Sequence, residues 1–428
     1  MNFAVVDGEG GSAPRLRFVD GILAQAVRPC QITTAIAISE AMNTTQETQT
    51  ITAADHAEAM ADYIRGGEQR ALSLGNRGPI KLDNHGKLDS EILEAYGRTG
   101  FYVFESVIDE EELGELRADV QGVLDRAPTA PGSQLDRDGN PAMGVDYALP
   151  AYGWAKPLSD PLGGTPLNKG RHPVKMLDPE PPQDGPKFTI ERLRGNLQLM
   201  ESCVRLYGHP DLLAVAEAVL GADFVPYNEV VFIKEPGLGP SVAWHRDGTT
   251  HWDAFDWDQD AHGFNFMVQL YSSTAGNGVW VMPGSHKQPD IDIKKLIADS
   301  GSERIENAVP LLCEAGDIFM TNRQCVHGSF ANTSPDRRVT LNEGFFARKR
   351  VLNVSTSKLD GTPVTYTAEQ IHERSRLIAL GIDARSQRFP EEKPYVYQPL
   401  AWEEDDNRWN DVTRQNLIKD YNVRDFYI

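Results

Sequence analysis

Two histidines, one aspartate and one arginine form the chemically most informative set in the chain. His245 and Asp247 lie in Ala243-Trp-His-Arg-Asp-Gly248, His327 in Val326-His-Gly-Ser329, and Arg338 follows eleven residues after the second His. Two imidazoles and one carboxylate on one face of a metal leave its opposite face open, which points to non-heme Fe(II) oxygenase chemistry. A guanidinium beside that metal could hold a carboxylate through two parallel hydrogen bonds. Strand side chains alternate faces, so on a strand His245 and Asp247 would point together and Arg246 away. The bare His-x-Asp tripeptide is weak by itself, because short motifs recur by chance. The second His, 82 residues on and at the end of another β-type run that starts from the turn Ala315-Gly-Asp317, strengthens it.

These residues need elements to position them. Phe101-Tyr-Val-Phe104 reads as a short strand. Asp109, with Glu112 three residues later, reads as a capping box that opens a helix bearing Leu113, Leu116, Val120, Val123 and Leu124 and ending by Pro128. Residues 128–190 are rich in Pro, Gly and Asp without period, which predicts a long irregular insertion of the kind used in binding loops. Asp211 is expected to open a second amphipathic helix that Gly221 ends. Residues 223–347 then break into short β-type runs: Val230–Ile233, Phe264–Tyr271, Val279–Met282, Ile318–Met320 and Val339–Phe346. Asn277-Gly278 between two of these runs signals a tight turn. Many short strands with Gly and Pro turns predict a sandwich or barrel. A helical insertion is expected over Pro289–Ala298, and a helix from a capped Thr367 with Gln370 at its third position to Gly381. The aromatic tail (Tyr395, Tyr397, Trp402, Trp409, Tyr421, Phe426, Tyr427) is expected to pack back on the core.

The 428 residues carry a formal charge of −20, with 40% hydrophobic and 24% charged residues, as in a soluble globular protein. That charge argues against nucleic acid and anionic membrane as partners, since both need a basic surface. Cys30, Cys203, Cys313 and Cys325 form no CxxC and read as buried or free thiols of a reducing cytoplasm. No apolar run reaches the ~20 residues of a membrane helix, and Asp7 and Glu9 precede any apolar stretch, so no secretory signal and a cytoplasmic location are expected. The reading divides the chain into a leader over 1–41 (with Met42 as an alternative start), an N-terminal arm over 42–92, a catalytic domain over 93–348, and a C-terminal extension over 349–428.

Taken together, the motifs resemble the phytanoyl-CoA dioxygenase family of Fe(II)/2-oxoglutarate-dependent oxygenases. The matching pieces are Lys234-Glu-Pro-Gly237, Trp244-His-Arg-Asp-Gly248, Asn277-Gly278, Pro283-Gly-Ser-His286, Ala315-Gly-Asp317, His327-Gly-Ser329, Asn332-Thr-Ser334 and Arg338. Phe101–Val107 and the helix after it look like the family's opening elements, so the resemblance covers about 93–348. It implies a mainly β fold with flanking helices around a double-stranded β-helix, a jelly-roll, cupin-like core. It also implies that His245, Asp247 and His327 are the catalytic iron ligands, and that Arg338 pairs with the distal carboxylate of 2-oxoglutarate. Alternation lets only one of Arg337 and Arg338 face the interior, and the spacing favours Arg338. Lys234 and Trp280 align with positions that often line the cosubstrate pocket. Gln269 stands where the family usually has a small apolar residue.

The implied cofactors are Fe(II), 2-oxoglutarate and O2, with ascorbate stimulatory, and the implied reaction is hydroxylation of a C–H bond with release of succinate and CO2. Related halogenases lack the carboxylate, so Asp247 argues for a non-halogenating outcome. Desaturation, ring closure and epimerisation depend on substrate placement and stay open. His286 reads as structural, His251 as a pocket or solvated residue, and the acidic-aromatic run Trp252–Asp260 as a surface loop or a lid. No basic cluster suits the phosphates of an acyl-CoA, so a small-molecule substrate is expected, with a homo-oligomer through the extensions as an option. The competing classes are a non-catalytic jelly-roll binding protein and a zinc hydrolase. The first would be expected to have lost a ligand, and the second lacks a His-Glu-x-x-His helix.

Overall fold

β-branched and aromatic residues at alternating positions build two facing sheets. The computed structural model describes residues 51–147, 150–247, 263–358, 361–403 and 407–420. The larger sheet has eight strands, in the order Arg77–Gly78, Phe101–Phe104, Ile318–Asn322, Phe264–Gln269, Arg338–Ala347, Phe224–Lys234, Thr189–Arg194 and Tyr152–Ala155. The smaller has four, in the order Val309–Pro310, Trp280–Val281, His327–Ser329 and Val242–His245. From Phe224 onward the chain passes from one sheet to the other: large, small, large, small, large, small, large. This repeated crossing is the winding of a double-stranded β-helix, the jelly-roll core implied by the motifs.

The sheets divide the side chains by face. Along Arg338–Ala347, Arg338, Thr340 and Asn342 look into a cavity between the sheets. Val339 and Leu341 point the other way, into the main hydrophobic core shared with the helices. That outer core takes the apolar stripes of Glu110–Asp125 (Leu113, Leu116, Val120, Val123) and Pro210–Leu220 (Leu212, Leu213, Val215). Pro210 occupies the first turn of the second helix, one residue ahead of the Asp211 expected to open it, where its missing N–H costs nothing.

Several expectations are corrected. The 42–92 segment holds a 21-residue helix, Ala53–Ser73, with a reciprocal capping box between Thr52 and Asp55. It shows no strong apolar stripe because it docks through few residues. Tyr63 stacks on Trp280 at 4.3 Å, and Gly67 sits so close that a Cβ there would lie 2.4 Å from the Trp280 ring. Asp109 caps its helix through the Glu112 N–H, but Glu112 does not return the bond; its buried carboxylate accepts from Arg385 at 2.6 and 3.1 Å instead. The 128–190 insertion is not wholly irregular, since Tyr152–Ala155 pairs with Thr189–Arg194 and both extend the large sheet. Asn277-Gly278 does turn the chain, yet the runs it separates belong to different sheets, so it joins no hairpin.

The insertion helix lies at Ile293–Ser300, and the helix capped by Thr367 and Gln370 continues to Arg388 rather than stopping at Gly381. Gly381 is a packing site: a Cβ at Gly208 would lie 2.2 Å from the Gly381 carbonyl oxygen. Tyr397 and Trp409 are buried in the main core as expected of the tail, whereas Trp402 is 77% exposed. Tyr421, Phe426 and Tyr427 lie outside the described residues. No helix among the described residues is long and apolar enough to cross a membrane.

The long helix Ala368–Arg388 is held to Glu110–Asp125 by ion pairs of Arg385 with Glu112 and of Arg388 with Glu111 and Glu115, while Glu392, just past the helix, pairs with Arg385 as well. The Arg385–Glu112 pair is buried. Replacing Arg385 by Ala strands the Glu112 carboxylate and is expected to cost about 3–5 kcal/mol, read as an earlier urea midpoint. An unchanged midpoint would contradict the role assigned to this pair.

Candidate active site

The smaller sheet brings the two histidines together. His245 ends one strand, His327 begins its neighbour, and the antiparallel register sets them directly opposite each other, with ring centroids 4.2 Å apart. Each Nδ1 lies against a backbone carbonyl two residues back: His245 on Ala243 O at 2.8 Å and His327 on Cys325 O at 3.0 Å. A neutral imidazole with its proton on Nδ1 leaves the Nε2 lone pair free for a metal. Both Nε2 atoms face Asp247, at 3.5 Å from Oδ1 for His245 and 3.9 Å from Oδ2 for His327.

Asp247 follows the strand end, its backbone N–H donating to Arg323 O at 3.0 Å and its Oδ2 accepting from the Asn265 amide at 2.8 Å. Arg246 points away and clamps the turn after Ser285 through Ser285 O and Pro289 O. The donor atoms of His245, Asp247 and His327 lie within 4.8 Å of one another, the one such trio of His, Cys, Asp or Glu among the described residues.

Electrostatics suit a cation. Burial and the neighbouring His327 lower the His245 imidazole to about 4, keeping it neutral and ready to ligate. Burial alone would raise the Asp247 carboxyl, but His327, His245 and Arg171 outweigh it and hold it well below its usual range.

The trio opens into a cavity of about 90 Å3 between the sheets. Arg338 reaches it from the large sheet, 3% exposed, with Nη1 donating to Asn277 O at 3.0 Å and Nε without a hydrogen-bond partner. Arg337, on the opposite face, pairs with Glu235 at 2.9 Å. Lys234 and Trp280 are not among the residues that line the cavity. Lys234 sits across from Arg338 in register, fully buried, donating to Phe330 O. The Trp280 indole donates to Ala275 O and stacks on Tyr63, so these side chains are engaged elsewhere than on the cavity lining. Gln269 is not among the lining residues either; its amide donates to Met267 O and its Oε1 accepts from the Thr340 hydroxyl. His286 packs under the Gly97 carbonyl, away from the trio. His251 and Trp252–Asp260 lie outside the described residues. Cys203, Cys313 and Cys325 are free and buried; Cys30 lies outside the described residues.

Sequence reasoning missed Arg171 and His172. Both line the cavity, and the His172 ring lies 4.2 Å from that of His245; burial, His245 and Arg171 lower its imidazole to about 2. They come from the segment read as irregular, which offers no periodicity to find them by. Asp160 pins that segment by accepting the backbone N–H groups of Leu162, Gly163 and Met176 at 3.1, 2.9 and 2.8 Å.

Residues 171–340 match the sequence profile of the family described as phytanoyl-CoA dioxygenase (PhyH), a span that includes the trio, Arg338 and the Arg171-His172 pair. The segment that carries the trio is thus similar to the phytanoyl-CoA dioxygenase family. Phytanoyl-CoA dioxygenase 1 of rice (Oryza sativa subsp. japonica) is 30% identical over 125 residues, 27% of this chain and 42% of the rice protein, so the match spans less than half of that relative. Ectoine dioxygenase of Streptomyces coelicolor is 22% identical over 274 residues, 59% of this chain and 76% of that protein. L-proline trans-4-hydroxylase of Streptomyces griseoviridis is 26% identical over 220 residues, 44% of this chain and 80% of that protein.

The Asn265 amide is the side-chain group that fixes the Asp247 carboxylate from behind. Asn265→Ala is expected to weaken Co(II) binding by about 10–100-fold, the usual effect of removing such an outer partner. Calorimetric titration giving the wild-type affinity would show that Asp247 needs no such support.

Proposed function

We propose that this chain is an Fe(II)- and 2-oxoglutarate-dependent dioxygenase that hydroxylates a C–H bond of a small-molecule metabolite. The observation that carries the reading is a three-donor face of two imidazoles and one carboxylate with a buried guanidinium in the same cavity. Arg338 keeps a partnerless Nε and, among the described residues, pairs with no carboxylate. That donor set fits iron with open positions better than a closed structural zinc site, which takes four protein ligands. When bound, Fe(II) with 2-oxoglutarate and O2 supplies the oxidising power for attack on a C–H bond, with succinate and CO2 as the cosubstrate's products.

The chain's own residues then have distinct tasks. His245 and His327 present their Nε2 atoms, oriented through backbone carbonyls, and Asp247 offers an oxygen on the same side. Asp247 holds the position that halogenases of this chemistry leave to halide, which supports hydroxylation. Arg338 would take the distal carboxylate of 2-oxoglutarate, and Phe232, Met267 and Val279 supply apolar walls that limit water. The ectoine and proline relatives, whose names indicate small substrates, support a small-molecule substrate.

His245→Ala and Asp247→Ala are each expected to abolish succinate release in assays with Fe(II), ascorbate and 2-oxoglutarate; full turnover in Asp247→Ala would contradict the ligand assignment. Arg338→Ala removes a charge-assisted pair worth about 3 kcal/mol and should raise the KM for 2-oxoglutarate about 100-fold. Arg337→Ala removes only a partly exposed pair and should change that KM by less than about threefold. The reverse ranking would exchange the two assignments.

A further inference from the structure

We propose that Arg171 determines substrate specificity by holding a carboxylate of the substrate, so that this enzyme acts on small carboxylic acids. The proposal rests on the functional reading above, which assigns Arg338 to the cosubstrate and Asp247 to the metal.

The cavity is lined by three guanidinium groups. Arg338 faces the end given to 2-oxoglutarate. Arg192 lies 2.7 Å from the Glu191 carboxylate, which also lines the cavity. Arg171 has neither arrangement: its one acidic neighbour among the described residues is Asp247, at 3.8 Å, too far for a hydrogen bond. Its Nε is buried without a partner, and its side chain is 28% exposed, so the guanidinium reaches the open part of the cavity. With a divalent cation drawing on the Asp247 oxygens, Arg171 would face a second positive charge a few ångströms away. An anion between them relieves that repulsion, and a carboxylate matches the planar fork of the guanidinium.

The mount of Arg171 is rigid. The buried Asp160 carboxylate ties three backbone N–H groups of the same loop. The neighbouring His172, 1% exposed, lies against the His245 ring. Asn168 and Lys169, which lead into Arg171, hold φ angles of 49° and 59°. Such left-handed residues cost on the order of 1 kcal/mol each and persist where surrounding contacts impose them. A fixed guanidinium binds a carboxylate without first losing side-chain freedom. The short distance to Asp247 also places the substrate carboxylate close to the metal position, so the attacked C–H bond lies within a few bonds of it.

The test uses the full chain loaded anaerobically with Mn(II) and saturating 2-oxoglutarate, which blocks Arg338, and titrated with propionate or propionamide by calorimetry. Propionate is expected to bind at least about tenfold more tightly than propionamide. Arg171→Gln should abolish that preference and Arg171→Lys restore part of it. Both variants should keep the 2-oxoglutarate affinity within about threefold of the wild type, which also reports that they fold. The proposal is overturned if acid and amide bind alike, if neither binds, or if Arg171→Gln keeps the preference. It is also overturned if Arg171→Gln weakens 2-oxoglutarate as much as propionate, since Arg171 would then serve the cosubstrate. A wild-type chain that takes up neither Mn(II) nor 2-oxoglutarate would remove the functional reading itself, an outcome distinct from all of these.

Discussion

The register that sets His327 opposite His245 is the constraint on which the site depends. Directly opposed residues of an antiparallel pair bring their Cβ atoms to about 5 Å, near enough for two imidazoles to share one ion. A slip of one residue would turn every side chain of the strand to the other face and separate the donors. The register is guarded at Gly328, beside the irregularity between His327 and Ser329. A Cβ there would lie 3.0 Å from the Val242 carbonyl oxygen and 3.2 Å from the Trp244 Cα, so any larger residue would force apart the two strands that carry the histidines.

The rest of the molecule holds that register from both sides. The N-terminal helix lies against the small sheet through the Tyr63–Trp280 stack and the Tyr63 hydroxyl bonded to Ile305 O at 2.8 Å. Across the cavity, the large sheet presents Arg338, Thr340 and Asn342 on one face and its apolar residues to the helices on the other. The ion pairs of Arg385 and Arg388 attach the long C-terminal helix to that outer layer. Segments outside the run of motifs thus stiffen the scaffold while the motifs themselves supply the donors.

The donors were legible because they obey local rules. His245 and Asp247 are two apart at a strand end, and alternation lets only one of Arg337 and Arg338 face inward, the spacing favouring Arg338; Glu235 takes the first and the cavity the second. A sandwich or barrel was legible from short β runs with Gly and Pro turns, and the jelly roll only through the resemblance of the motifs. What was not legible depends on contacts made far away in sequence. Glu112 looks like a capping-box partner until Arg385, 273 residues on, claims its carboxylate. Gly381 looks like a helix end until Gly208 fills the space its missing side chain leaves. Arg171 and His172 carry no periodic signal because the loop that presents them is shaped by Asp160 and not by a repeating pattern. Lys234 and Trp280 stand beside the site in register, yet their side chains are satisfied by Phe330 O, Ala275 O and Tyr63 rather than by the cavity.

The central claim is that one divalent ion is held by His245, Asp247 and His327 with its remaining positions open. The most direct measurement is an anaerobic crystal structure of the chain with Mn(II) and 2-oxoglutarate. The account predicts Mn(II) on the two Nε2 atoms and an Asp247 oxygen, chelated by one end of 2-oxoglutarate, with the distal carboxylate on Arg338. Metal density elsewhere, or a fourth protein ligand such as His172 closing the coordination sphere, would contradict it.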